Sequence, residues 1–161
     1  MDGTTEKIAV CRILILIPRS NAILDSYEHL ADILTLNTTL KSLTFKPVIQ
    51  NEKIFLATFA DGLKSNRSLT QLTIGFKENN YSVLCEGLEQ NDTLTSLDLD
   101  GPVPLPGEVA KIANILKFNT TISSLRGVGV NDWCGIFSAL KANSSLRTLH
   151  LANTGHEKTD D

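Results

Sequence analysis

The chain has 161 residues, 42% of them apolar and 20% charged, with a formal net charge of −3. This length supports one domain with a sizeable core, and the composition is that of an ordinary globular protein. The slight acidity and the scatter of Lys and Arg argue against a dedicated nucleic-acid surface. The longest apolar run, residues 13–18, falls far short of the roughly 20 residues a membrane span needs.

The first residues, Met1 to Glu6, lack a basic segment and predict no signal peptide. Residues 10–17 are almost wholly apolar and predict an opening strand near 13–17, its register ambiguous by one residue. Beyond it, five helices are predicted near 25–36, 54–65, 80–90, 107–118 and 132–142. Strands near 43–45, 72–74, 97–99, 125–127 and 149–151 follow them in turn.

These elements recur because one asparagine recurs. Asn37, Asn66, Asn91, Asn119 and Asn143 are each followed two positions later by Ser or Thr, and three positions later by Leu or Ile. Ten, seven and three residues before each asparagine stand apolar residues; in the third copy these are Tyr81, Leu84 and Leu88. That spacing marks one face of an amphipathic helix. Six before stand Ala31, Ala60, Cys85, Ala113 and Phe137. Small residues predict close helix packing there, with Phe137 the departure. After the asparagine, apolar residues three, six and eight positions on (Leu94, Leu97 and Leu99 in the third copy) change to the alternation of a strand. Self-similarity of this kind predicts a solenoid of parallel strands joined by helical crossovers.

The asparagine marks the point where a helix stops and turns into a strand, which predicts a left-handed backbone conformation there. The hydroxyl residue two positions on predicts a bond to turn backbone groups. The Asn-x-Ser/Thr triplets are locked to the repeat register and are read as turns rather than glycosylation sites. The asparagines are spaced by 29, 25, 28 and 24 residues, so the strand-to-helix connections are predicted to alternate long and short.

The pattern Leu-x-x-Leu-x-Leu, with a helix in every unit, resembles leucine-rich repeats. Runs such as Leu-Glu-Gln-Asn-Asp-Thr-Leu-Thr-Ser-Leu-Asp-Leu (88–99) look like the ribonuclease-inhibitor-like subfamily, among which the sensor ends of NOD-like receptors, the Ran GTPase-activating protein and the tropomodulin tail are placed. The resemblance implies an α/β fold, a right-handed leucine-rich-repeat solenoid with a parallel sheet on the concave face and helices on the convex face. It covers residues 8–153 as five to six repeats of a single domain, 1–161, with a short polar tail at 154–161. One feature departs from the family. Its ladder asparagine, eight residues after the first leucine of each motif, is replaced here by Val48, Lys77, Pro102, Val130 and Thr154. The ladder is therefore expected to be absent, with turn backbone groups served by other partners.

Residues flanking the buried strand leucines are expected on the concave face. The candidate partner-binding set is Thr44, Lys46, Thr73, Asp98, Asp100, Arg126 and His150. Val128 shares the Lys46 and Asp100 column, and Asp98 and Arg126 are placed to pair across neighbouring strands. Asp98, Asp100 and His150 are a poor metal set, because Arg126 lies between them. No nucleophile elbow or phosphate loop occurs. Cys11, Cys85 and Cys134 have neither metal nor redox spacing and are expected as largely buried thiols in a reducing compartment. Tyr81 and Trp133 are assigned to helix–sheet packing, while Phe76 is left open between core and surface.

The expected function is non-catalytic protein binding by a cytoplasmic adaptor or effector-like module, with an unidentified protein partner, no cofactor, no nucleic acid and no membrane. The alternatives are a GTPase-activating regulator, by likeness to the Ran GTPase-activating protein, and a self-assembling unit. A homodimer through an uncovered solenoid end is expected, because no helix follows Leu151.

Overall fold

The computed structural model describes residues 11–16, 24–46, 52–129 and 133–152. Strand and helix alternate through them: β1 (Ile13–Leu16), α1 (Leu24–Leu36), β2 (Ser42–Phe45), α2 (Glu52–Ser65), β3 (Gln71–Gly75), α3 (Tyr81–Leu88), β4 (Ser96–Asp100), α4 (Pro106–Phe118), β5 (Ser124–Gly129), α5 (Trp133–Ala142) and β6 (Thr148–Ala152). The strands form one parallel sheet in chain order, β1 to β6. This is the expected α/β solenoid: every crossover carries one helix, and each helix lies against the next.

The core runs between the sheet and the helices. The strand leucines Leu43, Leu72, Leu97 and Leu125 are buried opposite Leu30, Phe59, Leu84, Ile112 and Ile136 from the helices. The register of β1 is settled: Leu14 and Leu16 pack against the core, while Ile13 and Ile15 face out, in register with Ser42 and Thr44. Phe76 is buried edge-on against Tyr81, with ring centroids 4.7 Å apart. Small residues do permit close helix contact. A Cβ at Gly62 would lie 2.8 Å from the Ala31 carbonyl, and one at Gly87 would lie 2.8 Å from the Ala60 carbonyl. Phe137 stands exposed on the last described helix. The side chains of Tyr27 and Trp133 lie outside the described residues, as do Val48, Ile49 and the tail 154–161.

The repeating asparagine does not work as expected. At Asn119 the backbone has φ −72° and ψ 129°, an extended conformation open to any residue. What recurs is the side chain's bonding. The Oδ1 of Asn91 accepts from the backbone N–H groups of Thr93 (3.1 Å) and Leu94 (2.8 Å). Its Nδ2 donates to the carbonyls of Leu63 (2.8 Å) and Asn66 (3.1 Å), one repeat back. Asn66 does the same toward Leu34 and Asn37, Asn119 toward Leu88 and Asn91, and Asn143 toward Leu116 and Asn119. A continuous asparagine ladder is therefore present, carried by the helix-to-strand turn rather than by the position after the strand. Thr70, Thr95 and Ser123 add a hydroxyl row beside it, each donating to a carbonyl of the preceding repeat. Asn66 and Asn91 are 1% and 3% exposed, so in these two copies the side chain is buried in the turn it holds.

Two further departures come from local geometry. In β5 the apolar strand position holds Gly127, which adopts φ 83° at a bulge between Arg126 and Val128. The extra residue turns Val128 inward, where it is fully buried and pairs with Leu151. Val128 is thus a core residue and not part of the concave column. The variation in repeat length is taken up mainly by the helices: α2 and α4 have 14 and 13 residues, against 8 in α3 and 10 in α5.

Candidate functional site

Each strand places alternate residues on the face away from the helices. Strand pairing aligns Ile15, Thr44, Thr73, Asp98, Arg126 and His150 in one row across all six strands. Ile13, Ser42, Gln71, Ser96, Ser124 and Thr148 form the parallel row. Ile13 and Ile15 are 65% and 62% exposed, giving the β1 end of the face an apolar edge that the ambiguous register had concealed.

The ion pair on this face differs from the expected one. Asp98 and Arg126 are register partners, yet no salt bridge joins them among the described residues. Instead, Lys46 Nζ lies 2.8 Å from Asp100 Oδ2, reaching from β2 past β3 to β4. Gly75 permits this. It is the register partner of Asp100, and its Cβ would meet Lys46 Cγ at 3.1 Å, so the lysine stem lies across bare backbone. The hydrogen bond to Asp100 is the main cause that raises the Lys46 pKa; desolvation opposes it, and the charges of Asp100 and Asp98 add to it. Both partners are well exposed, so the pair is worth under about 1 kcal/mol to the fold. The candidate residues fall together on one face: Thr44 and Thr73 are half-buried at its centre, and Arg126 and His150 are exposed toward β6.

The loop edge carries polar chemistry that sequence reasoning missed. Glu52, 2% exposed in the first turn of α2, accepts hydrogen bonds from the backbone N–H of Lys77 (2.8 Å) and Glu78 (3.2 Å) and from Asn80 Nδ2 (3.3 Å). Glu108, in the first turn of α4, accepts from the backbone N–H and the hydroxyl of Ser82. Asn80 makes no side-chain cap of α3. The carboxylates of the two long helices therefore hold the start of the short helix between them, and negative charge at a helix N-terminus is favourable. Acidic residues in helix first turns were the available signal, but nothing in their spacing showed that they cap a neighbour. We expect Glu52→Ala to destabilise the protein by about 1–2 kcal/mol in chemical denaturation, since it removes the acceptor of three hydrogen bonds, of which only Asn80 Nδ2 keeps a second acceptor, Glu78. Ser82→Ala, which keeps its backbone N–H, is expected to lose well under half of that.

Other side chains are structural. The Tyr81 hydroxyl donates to the Pro102 carbonyl at 2.6 Å, and burial raises its pKa. Burial pushes the Cys85 thiol up to about 12, so it stays protonated at neutral pH. Burial does not extend to all three cysteines: Cys11 is half-buried and Cys134 exposed. Among the described residues there is no cluster of three or more metal-ligating side chains, and no helix long and apolar enough to cross a membrane. The C-terminal half of the core holds a void of about 20 Å³ lined mainly by apolar side chains, among them Leu88, Leu99, Ile112 and Leu125. Of the apolar loop residues, Val103 is half-buried and Leu105 exposed.

No family model and no curated protein matches the chain. Among solved structures it is similar to one of leiomodin-1 described as actin-binding site 2, with 19% identity, 86% of each chain covered and a TM-score of 0.62. It is also similar to the tropomodulin C-terminal domain from Caenorhabditis elegans, with 14% identity, 82% of this chain and 86% of that chain covered, and a TM-score of 0.64. At such identities the likeness establishes the fold. It also corrects the ribonuclease-inhibitor-like assignment, because these matched folds are leiomodin and tropomodulin domains.

Proposed function

We propose that this chain is a non-catalytic protein-binding module, a small cytoplasmic adaptor whose concave sheet face makes the contact. The observation that carries the reading is the continuous outward row from Ile15 to His150, with Thr44, Thr73, Asp98 and Arg126 between them. It joins an exposed apolar edge to the charges of Asp98 and Arg126, which form no ion pair among the described residues, as binding surfaces do. The Lys46–Asp100 pair borders the row and belongs to the same surface. Because leiomodin-1 has a matched domain described as an actin-binding site, actin is the first partner to test.

Co-sedimentation with actin filaments tests the reading. The wild-type chain is expected in the pellet. The double variant Asp100→Lys, Arg126→Glu is expected in the supernatant, with its melting temperature unchanged within about 2 °C, because both sites are exposed and the lost pair is weak. Equal pelleting of both proteins would move the contact to another surface. Failure of the wild type to pellet would discard actin and leave the concave face to be tested with other partners.

Self-association is a second reading, favoured by the edge position of β6 in the sheet of described strands and by exposed Phe137 on α5. Leu151 packs against the core, so a variant there would disturb the monomer as well. Phe137→Lys is the cleaner test. Sedimentation at tens of micromolar is expected to show a dimer for the wild type and a monomer for this variant; a monomeric wild type removes the reading.

A further inference from the structure

We propose that the concave face receives an amphipathic helix of a partner protein, with an apolar side chain toward one end, a lysine or arginine further along, and an aspartate or glutamate one turn beyond it. This rests on the concave face being the contact surface and specifies what that surface selects.

The outward row changes character in a fixed order. Ile15 is exposed and apolar, Thr44 and Thr73 are neutral, Asp98 is acidic, and Arg126 is basic and exposed. Asp98 and Arg126 form no ion pair with each other or with another described residue, whereas Asp100 is taken by Lys46. Lys46 acts on Asp98 only through its charge, without an ion pair, so the Asp98 carboxylate is open to a partner's cation, and the guanidinium of Arg126 calls for a carboxylate.

Backbone chemistry selects a helix over an extended segment. The interior strands use their N–H and C=O groups within the sheet, so the face offers only side chains. An extended occupant lying across the strands would bury unpaired backbone groups, whereas a helix satisfies its own. Spacing selects the pattern. Strands lie about 4.8 Å apart, and a helix rises about 1.5 Å per residue, so each strand corresponds to about three residues of an occupant crossing the sheet. From Ile15 to Arg126 is four strands, about 19 Å or about 13 helical residues. The cation then falls about ten residues from the apolar anchor, and the carboxylate three or four beyond it.

Selection of displayed 18-residue helical peptides on the 161-residue chain tests the proposal. Enriched peptides are expected to share an apolar residue, a Lys or Arg nine to eleven positions away, and an Asp or Glu three or four further. Arg126→Glu is expected to weaken such a peptide at least tenfold, and exchanging the peptide's acid for lysine is expected to restore most of the loss. Ile15→Lys is expected to weaken binding to a similar degree. Enriched peptides without the ordered charge pair, indifference to Arg126→Glu, or no enrichment would each overturn the proposal. Actin co-sedimentation that still depends on Asp100 and Arg126 would, in those cases, keep the concave contact and discard the helical occupant.

Discussion

Replacing Asn91 by alanine is expected to cost about 3 kcal/mol or more, and replacing it by glycine at least as much. The side chain makes four hydrogen bonds to backbone groups and a fifth to the Thr93 hydroxyl, in a site that is 3% exposed. Truncation leaves the N–H groups of Thr93 and Leu94 and the carbonyls of Leu63 and Asn66 without that partner, and each buried orphan costs about 1–3 kcal/mol before relaxation and water entry. Glycine adds backbone entropy to the loss. Asn91→Asp keeps the acceptor but sets a negative charge against two carbonyl oxygens, so it is expected to resemble alanine rather than wild type. Urea unfolding of the three variants decides the matter. Glycine behaving like wild type would mean that backbone conformation, not the ladder, is what the asparagine provides.

Gly127→Ala is expected to be the other severe substitution, at about 3 kcal/mol. A β-carbon there would sit 1.9 Å from the Leu99 carbonyl oxygen, at φ 83°. Left-handed backbone costs a non-glycine residue about 1–2 kcal/mol, and overpacking typically adds about 1–3 kcal/mol. Relief requires β5 to lose its bulge, which would turn Val128 out of the core and shift Arg126 relative to Asp98. Gly107→Ala is the control: nothing lies within 4 Å of its β-carbon, in the first turn of α4, so it is expected to be neutral or stabilising by about 0.5 kcal/mol. Equal stability of the two variants would refute the bulge geometry.

These expectations show where the sequence was legible and where it was not. Leu72 and Leu97, set by strand alternation, and Phe59 and Leu84, set by helical periodicity, are all buried as read. Periodicity reports burial directly, so the repeat gave the fold class and the number of strands. Asn91 was seen as a turn residue, but its partners are the backbone of the preceding repeat, and no spacing within one repeat reveals a bond to another. Glu52 was hidden for the same reason: its donors lie 25, 26 and 28 residues away. On the concave face the row itself was legible, because alternation fixes it. The pairing was not. Lys46 passes over Gly75 to Asp100, two strands distant, while the adjacent Asp98 and Arg126 remain apart. Adjacency in register places side chains near each other, but rotamers and neighbouring bare backbone decide which of them meet. Ile13 and Ile15 escaped notice because a strand apolar at every position does not announce which face is wet.

Hydroxyl-radical footprinting of the chain with and without actin filaments tests the central claim most directly, since it reports each surface separately. The concave-face account predicts protection at Ile13, Ile15 and His150, with Leu36, Ile54 and Phe118 on the helices and Leu105 in the β4–α4 loop reacting as in the unbound chain. Protection of the helical residues with Ile13, Ile15 and His150 left reactive would contradict it.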